Sequence, residues 1–530
     1  MSFSRRDALA QLAALAATAA VPRPAWSFVD RDPLDGTIAE YRAGLDSGLW
    51  SAAEVTKRAL ERCRTDGMAW RAIDALSATA VEEAYASDVR RRDRKLFGPL
   101  DGVPVFAKSI YDMKGLPTTA SNAEWARLFP EPLRRDAIEI SRLRAAGAIV
   151  LGKTAADDFA YRGEGTSSHT GQVRNPYDPT GTRTPGGSSA GSAVAVAGGM
   201  AFAALGTDDG GSNRIPAVCT GVVGMKPTFG LVPRTGVIPT WPYLDTHGPL
   251  ARSVADAAML LAFISGADRS DPLAAGRAPG GWSQGALADA SLNRVRLGLV
   301  DAHVPRAKMT SDALMVWDRA LADLAAAGAI VEPFVPSVTL TDYRRAFTDT
   351  DKLRGGVAGN SRSPAATANA LYLYFARRTG DPIEAIRRGY SAYRSFYDVL
   401  PERFEDCVAL LRQPMERDPA GQSFARSRAE VVAALARSMR AAGVVALVYP
   451  TMPFNAFSLS GGWPDIRTAL GYGNWLGLPE VSVPAGLGAD GLPALNLSVT
   501  GLPGEDARVL ALAHAYEQQS RRFAPPPRRI

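Results

Sequence analysis

One stretch decides how the chain is read, Pro185 to Gly230: PGGSSAGSAVAVAGGMAFAALGTDDGGSNRIPAVCTGVVGMKPTFG. Two Gly-Gly-Ser clusters, Gly186-Gly187-Ser188 and Gly210-Gly211-Ser212, flank an Ala/Gly-rich run over 189–205 whose spacing predicts a closely packed helix. Glycines directly before a serine let main-chain N–H groups turn toward one point and form an anion nest. Asp209-Gly210-Gly211-Ser212 can therefore offer a serine hydroxyl and an oxyanion hole together. A serine nucleophile also needs a base. The four histidines (His169, His247, His303, His514) form no HExxH and sit in no suggestive context. A lysine in an apolar run is the better candidate, and Lys108 lies in VPVFAKSI, residues 103–110. Burial disfavours the ammonium and lowers a lysine pKa, and serine–lysine pairs are a known variant of the triad logic.

Two shorter motifs compete. Gly147 to Thr154 is a formal P-loop, G-x-x-x-x-G-K-T. Its four variable residues, Ala148 to Leu151, read as a strand, so their N–H groups are spent on sheet pairing rather than on a phosphate. Gly187 to Gly191 is a G-x-S-x-G pattern with Ser189 in the nucleophile position. That elbow requires a preceding strand, whereas TGTRTPG (residues 180–186) carries Pro185 and Gly186 and reads as loop.

Outward from this block the chain alternates. Residues 28–97 read as charged helices. GPLDGVPVFAK (98–108) is strand-like, Asp136 to Ala146 helical, and Ala148 to Leu151 a strand. Ser253 and Asp256 open a helix with a capping-box-like spacing. Arg294 to Val300 is a strand candidate, Ser311 to Ala327 a helix, and AIVEPF (329–334) a strand. Residues 340–440 carry no strand signal and read as a helical insertion or lid. Strands return at VVALVYP (444–450), EVSVPA (480–485) and ALNLSV (494–499), and Gly504 to Arg522 closes with a helix. This alternation argues for a layered α/β fold.

Composition sets the outer limits. The 530 residues are 46 % apolar and 22 % charged, which fits a large soluble globular chain and excludes wholesale disorder, collagen and a multi-span membrane protein. The net charge of +6 comes from 60 Lys and Arg against 54 Asp and Glu, with no basic stripe, so nucleic acid is not an expected partner. Cys63, Cys219 and Cys407 are too far apart for a metal knuckle or a disulfide framework. The N-terminus, MSFSRRDALAQLAALAATAAVPRPAWS, places Arg5 and Arg6 before an apolar run from Ala8 to Ala20 and a small-residue exit at Ala25-Trp26-Ser27. A transmembrane helix needs about 20 apolar residues, so no stable membrane insertion is expected. The pattern is that of a twin-arginine export signal.

The Pro185–Gly230 block resembles the signature block of the amidase signature family of serine hydrolases. GPLDGVPVFAKSI, RRDAIEISRLRAAGAIVLGKT, RNPYDPTGTRTPGGSS, DTHGPLARSVADAAMLL and LPEVSVPAGLGADGLPALNLSV resemble further family segments in the same order, so the resemblance runs over roughly residues 35–525. It implies a single large amidase-type domain, with a mixed β-sheet core covered by helices on both faces and a helical insertion. The expected organisation is a signal segment over 1–27, a helical region over 28–97, the core with its signature block over 98–335, the insertion near the substrate pocket over 336–445, and the rest of the core over 446–530. Position by position, the resemblance implies Ser212 as nucleophile, Ser188 as a bridging serine after a cis peptide bond, and Lys108 as base. It places the N–H groups of Asp209, Gly210, Gly211 and Ser212 in the oxyanion hole and gives Asp208 and Arg214 a supporting role. The chain departs from the commonest family pattern at Ser109 (frequently Asp), Ala190 (Gly), Asp209 (Thr) and Asn213 (Ile or Val), and Asp209 and Asn213 flank the nucleophile loop.

Other residues are given ordinary roles. Ser189 and Ser192 cap or pack the following helix, His247 is a satisfied structural histidine, Cys219 a buried small residue, and Lys226 part of a GMKP turn. Tyr472, Trp463 and Trp475 are candidate pocket-lining groups. The resemblance implies no metal and no organic cofactor. The expected function is an exported, periplasmic amidase that hydrolyses a small-molecule carboxamide to acid plus ammonia or amine through an acyl-enzyme, with the export machinery as partner and a homo-oligomer left open. The alternatives are an amidotransferase-type subunit, a non-catalytic scaffold of the same family, or a serine esterase.

Overall fold

The computed structural model describes residues 32–274, 287–336, 363–461 and 467–527. The export-signal expectation over 1–27 and the first part of the helical insertion lie outside them. Thirteen strands occur among the described residues. In chain order they are β1 (Ile73–Leu76), β2 (Pro104–Lys108), β3 (Ile149–Thr154), β4 (Thr166–Ser167), β5 (Gly171–Gln172), β6 (Ala203–Thr207) and β7 (Val223–Lys226). Then follow β8 (His247–Ala251), β9 (Arg296–Leu299), β10 (Ile330–Pro333), β11 (Ala446–Pro450), β12 (Glu480–Leu487) and β13 (Pro493–Thr500).

Eleven of them form one mixed sheet in the order β1-β3-β2-β6-β8-β7-β12-β13-β11-β9-β10. Two parallel runs, β3-β2-β6 and β11-β9-β10, are joined by an antiparallel centre. Parallel neighbours need a crossover long enough to return the chain. Helix Ile138–Ala145 supplies it between β2 and β3, and helix Ser311–Ala326 between β9 and β10. The buried strands β2, β3 and β6 lack the in–out alternation of half-exposed strands because helices cover them.

Helices Ala190–Ala197 and Arg214–Thr220 pack against each other and against strands. Every residue of both is buried, and the small side chains of AGSAVAVA let the backbone approach the sheet closely. Helices Ile138–Ala145, Val254–Ile264, Ser311–Ala326 and Asp506–Ser520 form a second packed group. Ser253 caps the second of these, its side chain accepting from the Asp256 N–H as the sequence spacing predicts.

Residues 363–442 are helical, in four segments: Pro364–Ala376, Pro382–Arg394, Phe404–Leu411 and Pro419–Ala442. Three begin with proline directly after a capping Ser363, Asp381 or Asp418. They are tied to the sheet domain by buried hydroxyls: Tyr393 donates to the Pro239 carbonyl, Tyr374 to Asp112, and Tyr243 to Asp418. Among the described residues no helix is long and apolar enough to cross a membrane.

Several local expectations are corrected. The charged 28–97 region contains a strand, β1, that pairs with β3. The helix expected over 189–205 ends at Ala197, and the chain turns through Gly198 and Gly199 into β6. Lys226 closes strand β7 opposite Glu480 rather than sitting in a turn. Ala148 to Leu151 feed β3, so the P-loop pattern is a strand with no free phosphate cradle.

Candidate active site

Three neighbouring pieces of backbone assemble the site: the C-terminal end of β2, the C-terminal end of β6 with its following loop, and the segment entering helix Ala190–Ala197. The first carries Lys108, the second Thr207 and the loop to Ser212, the third Ser188. Lys108 is wholly buried, and its Nζ donates to Ser188 Oγ at 2.8 Å and to Thr207 Oγ1 at 2.9 Å. The Gly187–Ser188 peptide bond is cis. A methyl group on Gly187 would come within 2.2 Å of Asp157 Oδ2 and 2.8 Å of the Gly165 N atom, so only glycine fits there. The Ser189 N–H donates to the Ser212 carbonyl at 3.2 Å, which lays the Ser212 loop beside Ser188.

The loop is held from beneath by Asp208. Its carboxylate accepts the Gly211 N–H at 2.7 Å, the Asn213 N–H at 3.2 Å, and a two-pronged contact from Arg214 at 2.9 Å on each arm. Arg214 is fully buried and also reaches Glu480 Oε2 and Asn474 Oδ1, both at 2.6 Å. Asn474 Nδ2 returns to the Asp208 carbonyl and carboxylate at 2.9 Å. The Gly211 N–H, expected in the oxyanion ring, is thus donated to Asp208. Gly211 has φ of 113°, a conformation that favours glycine. Ser212 is half-buried, Gly210 is exposed, and a methyl group at Gly210 would touch nothing within 4 Å, so the loop faces open space.

Charge follows burial. Removal from water pulls the Lys108 ammonium down to about 8, although Asp209, Asp157, Asp208 and Asp245 all act to raise it. For Asp208 burial acts upward, but the Arg214 guanidinium and the Asn474 contact hold the carboxyl well below the usual range. Asp209 is shifted the other way, far upward, by burial and by the adjacent Asp245 carboxylate. Asp157, against Gly187, is raised to about 7, mainly by burial.

Asn213 and Asp209, the departures flanking the nucleophile loop, have definite settings. Asn213 Nδ2 donates to the Met225 and Gly248 carbonyls, pinning the loop to β7 and β8. Asp209 and Asp245 both contact the Thr240 hydroxyl. Ser189, the serine of the G-x-S-x-G pattern, is fully buried and bonded to Thr207 and Asn213. Ser192 Oγ contacts the Leu205 carbonyl and Thr154 Oγ1. His247 Nδ1 meets Glu139 Oε1 at 2.6 Å, Cys219 is buried, and Lys226 Nζ donates to the Pro227 carbonyl. Of the aromatic pocket candidates, Tyr472 is buried against His303, with ring centroids 4.5 Å apart. Trp475 packs on Phe424 at 5.8 Å, and Trp463 lies outside the described residues.

Thr207, Asp157, Asn474 and Glu480 were not singled out from the sequence. Only Glu480 carried a signal, and a weak one: it is an acidic residue heading the apolar strand EVSVPA, and such a residue needs a buried partner.

A family model described as Amidase matches residues 54–510. A glutamyl-tRNA(Gln) amidotransferase subunit of Symbiobacterium thermophilum is 35 % identical over 497 residues, 89 % of this chain and 94 % of that protein. The subunit of the same name from Myxococcus xanthus is 33 % identical, over 93 % of this chain and 99 % of its own length. Among solved structures, the native peptide amidase of Stenotrophomonas maltophilia superposes with a TM-score of 0.73 at 30 % identity, covering 93 % of this chain and 98 % of the peptide amidase.

Proposed function

The chain belongs to the amidase signature family, an enzyme family acting on amide C–N bonds, and from that premise we propose that it breaks a carboxamide C–N bond by attack of Ser212. The buried contact from Lys108 Nζ to Ser188 Oγ, with the Ser212 loop laid beside it, carries this reading. In its uncharged form Lys108 accepts the Ser188 proton as Ser188 takes that of Ser212. Ser212 Oγ then bonds to the amide carbon, and the N–H groups of Asp209, Gly210 and Ser212 stabilise the oxyanion. The C–N bond breaks as Ser188 returns a proton to nitrogen, since an amide anion is a poor leaving group. Water cleaves the acyl-enzyme to a carboxylic acid and restores Ser212.

Two settings suit this chemistry. The relatives named as amidotransferase subunits align over nearly the full length of both chains, and they support the subunit reading better than the free, exported amidase first expected from the sequence. We therefore propose a chain that cleaves its amide as part of such an assembly. The peptide amidase likeness and the arginine pair before the N-terminal apolar run favour the second reading, a stand-alone exported amidase.

Ammonia and amine release, measured separately across primary, peptide, cyclic and anilide amides, tests the chemistry. Ser212→Ala is expected to lose several orders of magnitude in rate; turnover close to the parent rate overturns the assignment. Fractionation tests the setting. Co-purification with partner subunits supports the amidotransferase reading, and a monomeric extracytoplasmic enzyme active alone overturns it.

A further inference from the structure

Beside the nucleophile loop, one hydroxyl proton is shared among too many acceptors. Thr240 Oγ1 meets both Asp209 Oδ2 and Asp245 Oδ1. A threonine hydroxyl donates one proton. The second contact therefore needs a proton on a carboxyl group. Asp245 accepts the Thr240 N–H at 3.1 Å and the Trp241 N–H at 3.2 Å, so both its oxygens serve as acceptors. Asp209 has no such backbone donors, and its Oδ1 is buried with no hydrogen-bond partner. An orphaned oxygen costs far more on an ionised carboxylate than on a neutral acid.

We propose that Asp209 is held as a neutral carboxylic acid at neutral pH, donating to Thr240, which in turn donates to Asp245, and that this neutrality positions Lys108 to work as an uncharged base. The proposal deepens the reading of Ser212, Ser188 and Lys108 as an amide-cleaving set and rests on it. Asp209 acts here as a positioning residue through its side chain. An ionised Asp209 would add a further negative charge to those acting on Lys108, favour the ammonium, and repel the oxyanion forming at the same loop. The other charged or titratable groups that interact with this pair are Arg234, Tyr111, Tyr393 and Tyr397. Arg234 is engaged by Asp271, and the three tyrosines are held in their neutral form by burial. Asp157 and Asp208 complete the acidic surroundings of Lys108. The neutral state of Asp209 thus decides whether Lys108 faces one more charge.

Infrared difference spectroscopy of the full-length protein at pH 7 reads the proton directly. The parent spectrum minus that of Asp209→Asn is expected to show the C=O band of a protonated carboxylic acid; a difference spectrum without that band overturns the proposal. The pH dependence of kcat/KM gives the independent readout. Asp209→Asn replaces one neutral group by another, so the midpoint of the acid limb stays in place whatever the rate. A fall of about one pH unit or more would mean that a charge next to Lys108 had been removed, and would overturn the proposal. Asp245→Asn, the second variant, frees Asp209 to ionise, so the acid band disappears while one negative charge acting on Lys108 replaces another and the limb moves little; a persistent band or a limb shifted downward counts against it. The spectrum needs no turnover, so an inactive protein that shows the band fails the amidase reading alone, and an active one without it fails only this proposal.

Discussion

Asp208 and Asp209 are adjacent in the chain and opposite in electrostatics. Asp208 points into a closed network in which Arg214, Asn474 and two backbone N–H groups meet its carboxylate. Asp209 points toward another carboxylate, with a single hydroxyl between them and one oxygen unpartnered. Burial acts on both in the same direction, so the partners alone separate them: a guanidinium holds one carboxyl charged, and a like neighbour holds the other neutral. The lesson is a division of labour within one loop. The paired side fixes the backbone that carries Ser212, and the under-paired side, next to Lys108, sets the local field.

If that division is right, the largest loss of activity comes from the Lys108 side. Lys108→Met keeps the buried volume and removes the base. Amide turnover is expected to fall by about 10²–10⁴-fold, the usual contribution of a positioned general base. With the neutral amine as the proposed working form, kcat/KM of the parent is expected to rise with pH through about 8. The variant loses that step, and residual ester cleavage requires higher pH. A pH–rate profile on amide and ester substrates checks this, and an unchanged step near 8 would remove Lys108 from the mechanism.

The largest loss of stability comes from the other side. Arg214→Met strands Asp208 and Glu480 without their shared partner, and breaking a buried ion pair in this way costs about 3–5 kcal/mol. The sign of the pH effect is set by the direction of the Asp208 shift. A carboxyl depressed in the folded state contributes stability above the ordinary carboxylate range and loses it as pH falls toward its folded value. In Arg214→Met, acid instead neutralises the stranded carboxylates. Denaturant melts should therefore find the variant far weaker than the parent at pH 7, with the gap narrowing below about pH 4. An equal gap at both pH values would place the role of Arg214 in packing rather than charge.

The same contrast explains what was legible in the sequence. Local chemistry was legible: apolar runs announced β3, β11, β12 and β13, and the glycines before Ser188 and Ser212 marked the loops that needed them. Strands without a local signature were missed. β1 is four residues, IDAL, inside a charged helical stretch, and becomes a strand only because β3 offers an edge. β8 reads HGPLA, and β6 reads AALGT after an Ala-rich helix, so neither carries the β-branched side chains that mark a strand. Within the site, Lys108 and the two serines stood out, whereas Glu480 and Asn474 reach Arg214 from more than 250 positions away and obey no spacing rule. Asp209 was visible as a departure, but the carboxylate facing it arrives from a loop 36 residues on.

The smallest effect separates Ser189 from Ser212. Ser189 occupies the nucleophile position of the G-x-S-x-G pattern, yet its hydroxyl is buried between Thr207, which precedes Asp208, and Asn213, which follows Ser212. Its three contacts, at 3.1–3.3 Å, brace the ends of the loop on the paired side and touch no open space. Ser189→Ala should therefore cost about 1 kcal/mol of stability, the usual worth of such hydrogen bonds. Because these side-chain contacts reach only Thr207 and Asn213, turnover should fall only severalfold, with the same step in the pH profile. A loss matching that of Ser212→Ala would instead make Ser189 the nucleophile. It would move the chemistry to the closed side of the loop, where no space for a substrate adjoins the hydroxyl.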